Sequence, residues 1–160
     1  MEIRTASIHD LDAITQVEAL CFPSAEAADR ISIQRRLSVF PDRFWLLWED
    51  DTLVSFVNGM LTDSADLADE MYENASLHAP DGAWQMIFGV DTIPAYRCQG
   101  RAENLLRHVI DQCKRENRRG IVLTCKEHLL HYYGKFGFQN EGISQSVHGN
   151  VQWYQMRLTF

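Results

Sequence analysis

The sequence predicts an α/β domain built on a mixed sheet of about seven strands with helices on its faces. Three observations point there. Apolar residues recur at helical spacing in residues 11–20 (Leu11, Ile14, Val17, Leu20) and 102–117 (Leu105, Leu106, Val109, Ile110, Cys113). β-Branched and aromatic runs at residues 44–48, 52–61, 84–92, 121–125, 138–144 and 151–158 read as strands. Turn-forming residues, Glu49-Asp50-Asp51 and His148-Gly149-Asn150, separate two pairs of these runs.

In chain order, residues 3–6 form a short first strand. Ser7-Ile-His-Asp10 has the spacing of a capping box and opens a helix that Pro23 ends. A second helix is predicted over residues 25–38, and the runs around Glu49-Asp50-Asp51 form a hairpin. Residues 62–82 are acidic and weakly patterned, with a short helix at 65–74. Residues 84–92 read as one strand with Met86, Phe88, Val90 and Thr92 on a shared face. The helix at 102–117 closes near Gly120, and the apolar run 121–125 is of the kind buried on both faces. Residues 126–135 form a helix with Leu129, Leu130 and Tyr133 placed to pack, and the last two runs pair antiparallel.

Length and composition bound the function. A chain of 160 residues, 46% hydrophobic, suits one domain with a sizeable core. No charge-free apolar run approaches the ~20 residues that span a bilayer. The opening Met-Glu-Ile-Arg-Thr-Ala-Ser lacks the order of a secretory signal. Cys21, Cys98, Cys113 and Cys125 form no Cys-x-x-Cys pair and read as reduced thiols, so a cytoplasmic location is expected. The net charge of −7 divides unevenly, −12 over residues 1–93 and +5 over residues 94–160. Lys114 to Arg119 read as a solvated helix face, whereas Arg97 and Arg101 lie in a loop. With a pI near 5.3, a local basic patch suits a compact polyanion and argues against nucleic acid as a partner.

The richest stretch chemically is Val90-Asp-Thr-Ile-Pro-Ala-Tyr-Arg-Cys-Gln-Gly-Arg-Ala102, which leads from a strand through a proline turn into a helix. A helix start presents unpaired amides and a partial positive charge, which is a ready site for phosphate. Arg97-Cys-Gln-Gly-Arg-Ala102 fits the Arg/Gln-x-x-Gly-x-Gly/Ala loop of the GNAT superfamily of acyl-CoA N-acyltransferases. Ile121-Val-Leu-Thr-Cys125 followed by His131-Tyr-Tyr-Gly-Lys-Phe-Gly-Phe138 resembles that superfamily's later strand, helix and Tyr-x-x-Phe-Gly-Phe signature. The element order resembles a GNAT throughout. Glu18-Ala-Leu-Cys-Phe-Pro-Ser24, Leu53-Val-Ser-Phe-Val-Asn-Gly59, Ala75-Ser-Leu-His-Ala-Pro-Asp-Gly82 and Val122-Leu-Thr-Cys125 are similar to the arylalkylamine (serotonin) N-acetyltransferase group.

This resemblance implies a mostly antiparallel sheet splayed at its centre, helices on both faces, and acetyl-CoA as co-substrate. Backbone groups of Val90, Asp91 and Thr92 would bind the pantetheine arm. Amides across Arg97, Cys98, Gln99, Gly100, Arg101, Ala102 and Glu103 would cradle the diphosphate, with small residues at Gly100 and Ala102 for close approach. Tyr133 would protonate the departing thiolate, its hydroxyl staying protonated at neutral pH with a reference pKa of ~10. The acceptor would be a small primary amine, favoured over a protein N-terminus, in a monomer or homodimer without membrane association.

The chain departs from the animal arylalkylamine enzymes at Met86 and Phe88, which stand where those carry a His-x-His pair. Roughly one primary amine in a thousand is neutral at pH 7, so a proton acceptor is required. His78, Asp91 and Glu18 are the candidates. The departure also leaves a second reading open, an acyl-CoA-binding sensor without turnover. His128 and His131 lie at helical spacing with no partners that complete a metal set, so no metal is expected. Cys98 has no assignable base as a nucleophile. Asp63, Asp66, Asp69, Glu70 and Glu73 are either a solvated loop or a means of steering a cationic amine. Phe22, Phe44, Trp45 and Phe56 are either core or an apolar acceptor pocket.

Overall fold

The computed structural model describes residues 1–160. The elements in chain order are β1 (Glu2–Thr5), α1 (Leu11–Cys21), α2 (Arg30–Val39), β2 (Phe44–Glu49), β3 (Thr52–Asn58), β4 (Leu61–Thr62) and α3 (Asp69–Glu73). There follow β5 (Trp84–Ile87), β6 (Gly89–Thr92), α4 (Arg101–Arg115), β7 (Gly120–Cys125), α5 (Leu130–Gly134), β8 (Gln139–Ile143) and β9 (Tyr154–Thr159). They fall into two compact units, Met1–Gly59 with Gly89–Val109, and Met60–Phe88 with Ile110–Phe160. No helix is long and apolar enough to cross a membrane.

The first unit holds a four-stranded antiparallel sheet in the order β1-β2-β3-β6. Its entry is set locally by the capping box. The Ser7 hydroxyl accepts the His9 amide at 3.3 Å and Asp10 accepts the Ser7 amide at 2.8 Å. Arg4 donates two further bonds to Asp10, at 2.8 and 2.9 Å, and holds that carboxyl below its ordinary range. Ile14, Phe44, Trp45, Leu46 and Val57 are fully buried. The second helix begins at Arg30 and not at 25, because Asp29 accepts the Ser32 amide as an N-cap while Glu26 and Ala27 close a turn on the Pro23 carbonyl.

The second unit holds a five-stranded sheet in the order β4-β5-β7-β9-β8, parallel only between β5 and β7. The apolar run on β7 lies between two partners, as its composition predicts. Helix α5 covers only half of the expected 126–135, with a 3-10 turn (Glu127–Leu129) before it, and the helix expected at 65–74 contracts to α3.

The main departure from the expected sheet is at Phe88. The run 84–92 is not one strand. Its first half pairs with β4 and β7, its second half with β3, and Phe88 belongs to neither ladder. The face expected to carry Met86, Phe88, Val90 and Thr92 together is therefore interrupted; because the run 52–61 also divides, into β3 and β4, about seven strands become nine.

One close approach tests the packing of the second sheet. A Cβ on Gly120 would lie 2.1 Å from the Leu158 carbonyl oxygen, whereas one on Gly134 meets nothing within 4 Å. Gly120→Ala should destabilise the chain by about 1–3 kcal/mol, and Gly134→Ala should leave it unchanged or slightly more stable. Urea midpoints at constant slope check this, and equal midpoints for the two variants contradict it.

Candidate functional site

The loop after β6 is shaped by three backbone constraints. Pro94 fixes the start of a 3-10 turn (Pro94–Tyr96). Cys98 and Gly100 then take left-handed conformations, with φ of 59° and 82°. A Cβ at Gly100 would meet no atom, so glycine is needed there for its φ and not for space within the chain. The Asn104 amide makes the first α4 bond, to the Gly100 carbonyl at 3.0 Å. Arg101, Ala102 and Glu103 thus carry the first-turn amides that helix geometry leaves unpaired. Cys98, Gln99 and Gly100 are exposed ahead of them.

The loop's arginines are committed within the protein. Arg101 grips Glu49 through Nε at 3.1 Å and an η-nitrogen at 2.9 Å, and its guanidinium lies 5.6 Å from the Tyr96 ring centre. Arg97 donates from Nε to the Thr92 carbonyl at 2.9 Å, where the Cys21 thiol also donates at 3.3 Å. The Gln99 side chain donates to the Ala95 carbonyl. Positive character at the helix start therefore comes chiefly from backbone dipoles.

β6 is the edge strand of its sheet. The Ile93 amide donates inward to the Val54 carbonyl at 3.0 Å. Alternation along an antiparallel ladder then turns the backbone of Asp91 toward β3 and that of Val90 and Thr92 outward. The Thr92 carbonyl is capped as described, so Val90 offers the open amide and carbonyl on this edge.

The Asp91 side chain is fully buried, and neither carboxyl oxygen has a donor. Burial pushes its proton affinity well above the carboxylate range, the facing Glu18 carboxyl raises it further, Cys21 adds to this, and Arg36 opposes. An undonated carboxyl in such surroundings is held in its protonated form to higher pH. Glu18, also buried, accepts the Ala28 amide at 2.9 Å. Gly89 makes room, since a Cβ there would lie 2.9 Å from Asp91 Oδ1. The Cys21 thiol is pushed up by burial, against hydrogen bonding to Arg97.

In the second unit Tyr133 is buried on α5, edge-on to Phe138 at 6.0 Å and to Tyr132 at 5.1 Å between ring centres. His78 Nδ1 accepts the Leu61 amide at 3.1 Å, which makes it a strand cap and not a free base. Met86 is fully buried, and Phe88 packs on Tyr72 at 4.7 Å. His128 and His131 are exposed, and no three metal-ligating side chains converge. Phe44, Trp45 and Phe56 are core residues, which removes them as pocket walls, and only Phe22 is half-buried. Within the acidic segment Asp69 accepts the Ser146 hydroxyl and the Val147 amide, and Asp66 accepts from Arg157 and Gln155. Those two acids border a cavity of about 410 Å³ with Glu141 and Ser144, a feature with no local signature in the sequence. Nor does local sequence reveal the Glu18–Asp91 pair or the Arg101–Glu49 bridge, which join distant segments.

Known proteins share this fold. Residues 11–138 match the model of the acetyltransferase (GNAT) family. Serotonin N-acetyltransferase of Mesocricetus auratus is 26% identical over 160 residues, covering 98% of this chain and 76% of that protein. Among solved structures, the loading GNATL domain of CurA from Lyngbya majuscula superposes with a TM-score of 0.85 at 16% identity, covering 99% of this chain and 96% of that one. The ribosomal-protein-S18-alanine N-acetyltransferase of Escherichia coli superposes with a TM-score of 0.74 at 17% identity, covering 99% and 92%. At these identities the structural likenesses concern the fold.

The buried carboxyl pair has a signature in stability. An unfolded aspartate loses its proton near ~3.9, while folded Asp91 keeps it to higher pH. Across that window the folded state binds the extra proton, so stability falls as pH rises through it and is level beyond the folded value. Asp91→Asn should flatten that fall and melt no lower than the wild type at about pH 8. A retained slope in thermal melts between about pH 4 and 8 contradicts the assignment.

Proposed function

Since the chain belongs to the GNAT acetyltransferase family, we propose that it is an acetyl-CoA-dependent N-acetyltransferase acting on a small primary amine. The observation that carries this reading is the junction of an open strand edge at Val90 with the unpaired amides from Cys98 to Glu103. Those amides hold the diphosphate, and the Val90 backbone pairs with the amides of the pantetheine arm as an added strand would. The left-handed turn at Gly100 aims successive N–H groups to one side. Tyr133 supplies a proton to sulfur as the thiol departs. The amine attacks the thioester directly in a ternary complex, with no acyl-enzyme, so ping-pong kinetics would count against the reading.

A small aryl- or alkylamine is favoured by the likeness to serotonin N-acetyltransferase along nearly the whole chain. Protein N-termini are the competing acceptors, because protein-alanine N-acetyltransferases share the fold. A panel of arylalkylamines, polyamines, amino acids and peptides, read by thiol release from acetyl-CoA, distinguishes them. Arylalkylamines are expected to give the largest kcat/KM, and a preference for peptides overturns the acceptor assignment. Met86 and Phe88, which cannot take a proton, favour the second reading of a sensor that binds acyl-CoA without turnover.

One variant separates these readings and a second tests the CoA cradle that both require. Tyr133→Phe should lower kcat by about 10²–10⁴-fold with little change in CoA affinity. Gly100→Val, forced to a φ that costs an L-residue about 1–2 kcal/mol, should weaken CoA binding roughly 5- to 30-fold. Binding of CoA with no thiol release from any amine sinks the enzyme reading, and unchanged CoA affinity in Gly100→Val sinks the cradle.

A further inference from the structure

We propose that Glu49, at the end of β2, is a positioning residue for CoA. Through Arg101 it holds the turn before α4 in the shape that presents the first-turn amides to the diphosphate. This role rests on the CoA-binding reading above and extends the cradle to a residue from outside its own loop.

The turn has reason to need a hold. Between β6 and α4, residues 93–100 form only one 3-10 turn (Pro94–Tyr96). Cys98, a residue with a Cβ, takes a φ of 59°, and Gly100 follows with 82°. A side-chain-bearing residue keeps such a conformation when surrounding contacts fix it. Donors carried on a mobile loop lose conformational freedom when an anion binds, and that loss subtracts from affinity. A loop already fixed in its bound shape avoids it.

Arg101 makes contacts through every nitrogen of its guanidinium. Nε and one η-nitrogen donate to the two carboxylate oxygens of Glu49, at 3.1 and 2.9 Å. The other η-nitrogen donates to the Gln99 backbone carbonyl at 3.3 Å and to Gln99 Oε1 at 3.0 Å. Gln99 Nε2 in turn donates to the Ala95 carbonyl at 3.2 Å, and the guanidinium sits over the Tyr96 ring at 5.6 Å. One side chain thereby ties positions 95, 96 and 99 together across the turn. The far end of the tie is fixed, because Glu49 pairs with Thr52 in the β2–β3 ladder and its carboxylate is anchored on the sheet.

Two features separate this bridge from an ordinary surface ion pair. It is bidentate, which fixes the angle of the guanidinium as well as its distance. The side chains are only 24% and 25% exposed, so solvent screens them less. Glu49 also has an opposing effect. Its charge lies against Arg101, the first residue of α4, and by itself disfavours an anion at that helix start. Paired with the guanidinium, that charge is neutralised while the hold remains.

A double-mutant cycle separates the hold from the charge. The probe is CoA, its Kd measured by calorimetry on the full chain for the wild type, Glu49→Gln, Arg101→Gln and the double variant. Glu49→Gln should weaken CoA binding about 3- to 30-fold while Arg101 is present. With Arg101 already glutamine, the same change should leave affinity unchanged or tighter. Additive effects overturn the proposal. So does tighter binding by Glu49→Gln alone, which shows a guanidinium released to the phosphates and no lost hold. Coupling in urea midpoints without coupling in Kd also overturns it, since the bridge then serves the fold alone.

A second readout needs no ligand. ¹⁵N relaxation of CoA-free Glu49→Gln should show order parameters at Cys98 to Arg101 falling from rigid values near ~0.85, with β2 and β3 unchanged. Values equal to those of the wild type overturn the hold. A wild type that does not bind CoA removes the CoA reading and this role with it. A wild type that binds CoA, with an additive cycle, removes this role alone.

Discussion

A strand edge cannot be left unpaired without consequence, because each outward amide and carbonyl needs a partner or water. The chain creates such an edge at β6 by giving the two halves of residues 84–92 to different ladders. Phe88 is the residue between them. Past that break, Val90 and Thr92 turn their backbone outward, and the chain runs through Pro94 into a helix start whose own amides are also unpaired. Two kinds of unmet backbone valence are thereby placed in one continuous segment. The site is a property of the main chain before it is a property of any side chain.

The side chains are arranged to keep it so. Arg101 is tied to Glu49 and Gln99, and Arg97 to the Thr92 carbonyl, so both guanidiniums are held by groups of the protein itself. Asp91 of the same strand and Glu18 of α1 are both buried, with Arg36 nearby, and Asp91 holds its proton above the carboxylate range. Retaining such a pair is costly, and well-packed apolar residues would hold the fold more firmly. Proteins that keep unfavourable burial of this kind commonly do so where chemistry happens, and strongly perturbed carboxyls cluster at such sites.

Much of this was legible in the sequence where the determinants are local. The capping box at Ser7, the helix from Arg101, the apolar run of β7 and the glycine of the turn before α4 each follow from residues within a few positions of one another. The break at Phe88 was not legible. Alternation identifies a strand but not its partner, and residues 84–92 alternate well enough to read as one strand. Helical spacing predicts the second helix five residues early, because it does not show that Asp29 caps while Pro23 holds a turn. Glu18 and Asp91 were each visible as candidates, but their contact depends on α1 lying across β6, which no local pattern encodes. Phe44, Trp45 and Phe56 were ambiguous between core and pocket until burial decided for core.

Binding of the CoA moiety is proposed to fall to backbone groups from β6 to the start of α4. Amide-resolved ¹⁵N–¹H NMR during titration with CoA tests it most directly. The largest shifts are expected on Val90 and on the amides from Cys98 to Glu103. Saturable binding that leaves those amides unmoved, with the shifts centred elsewhere in the chain, would contradict it.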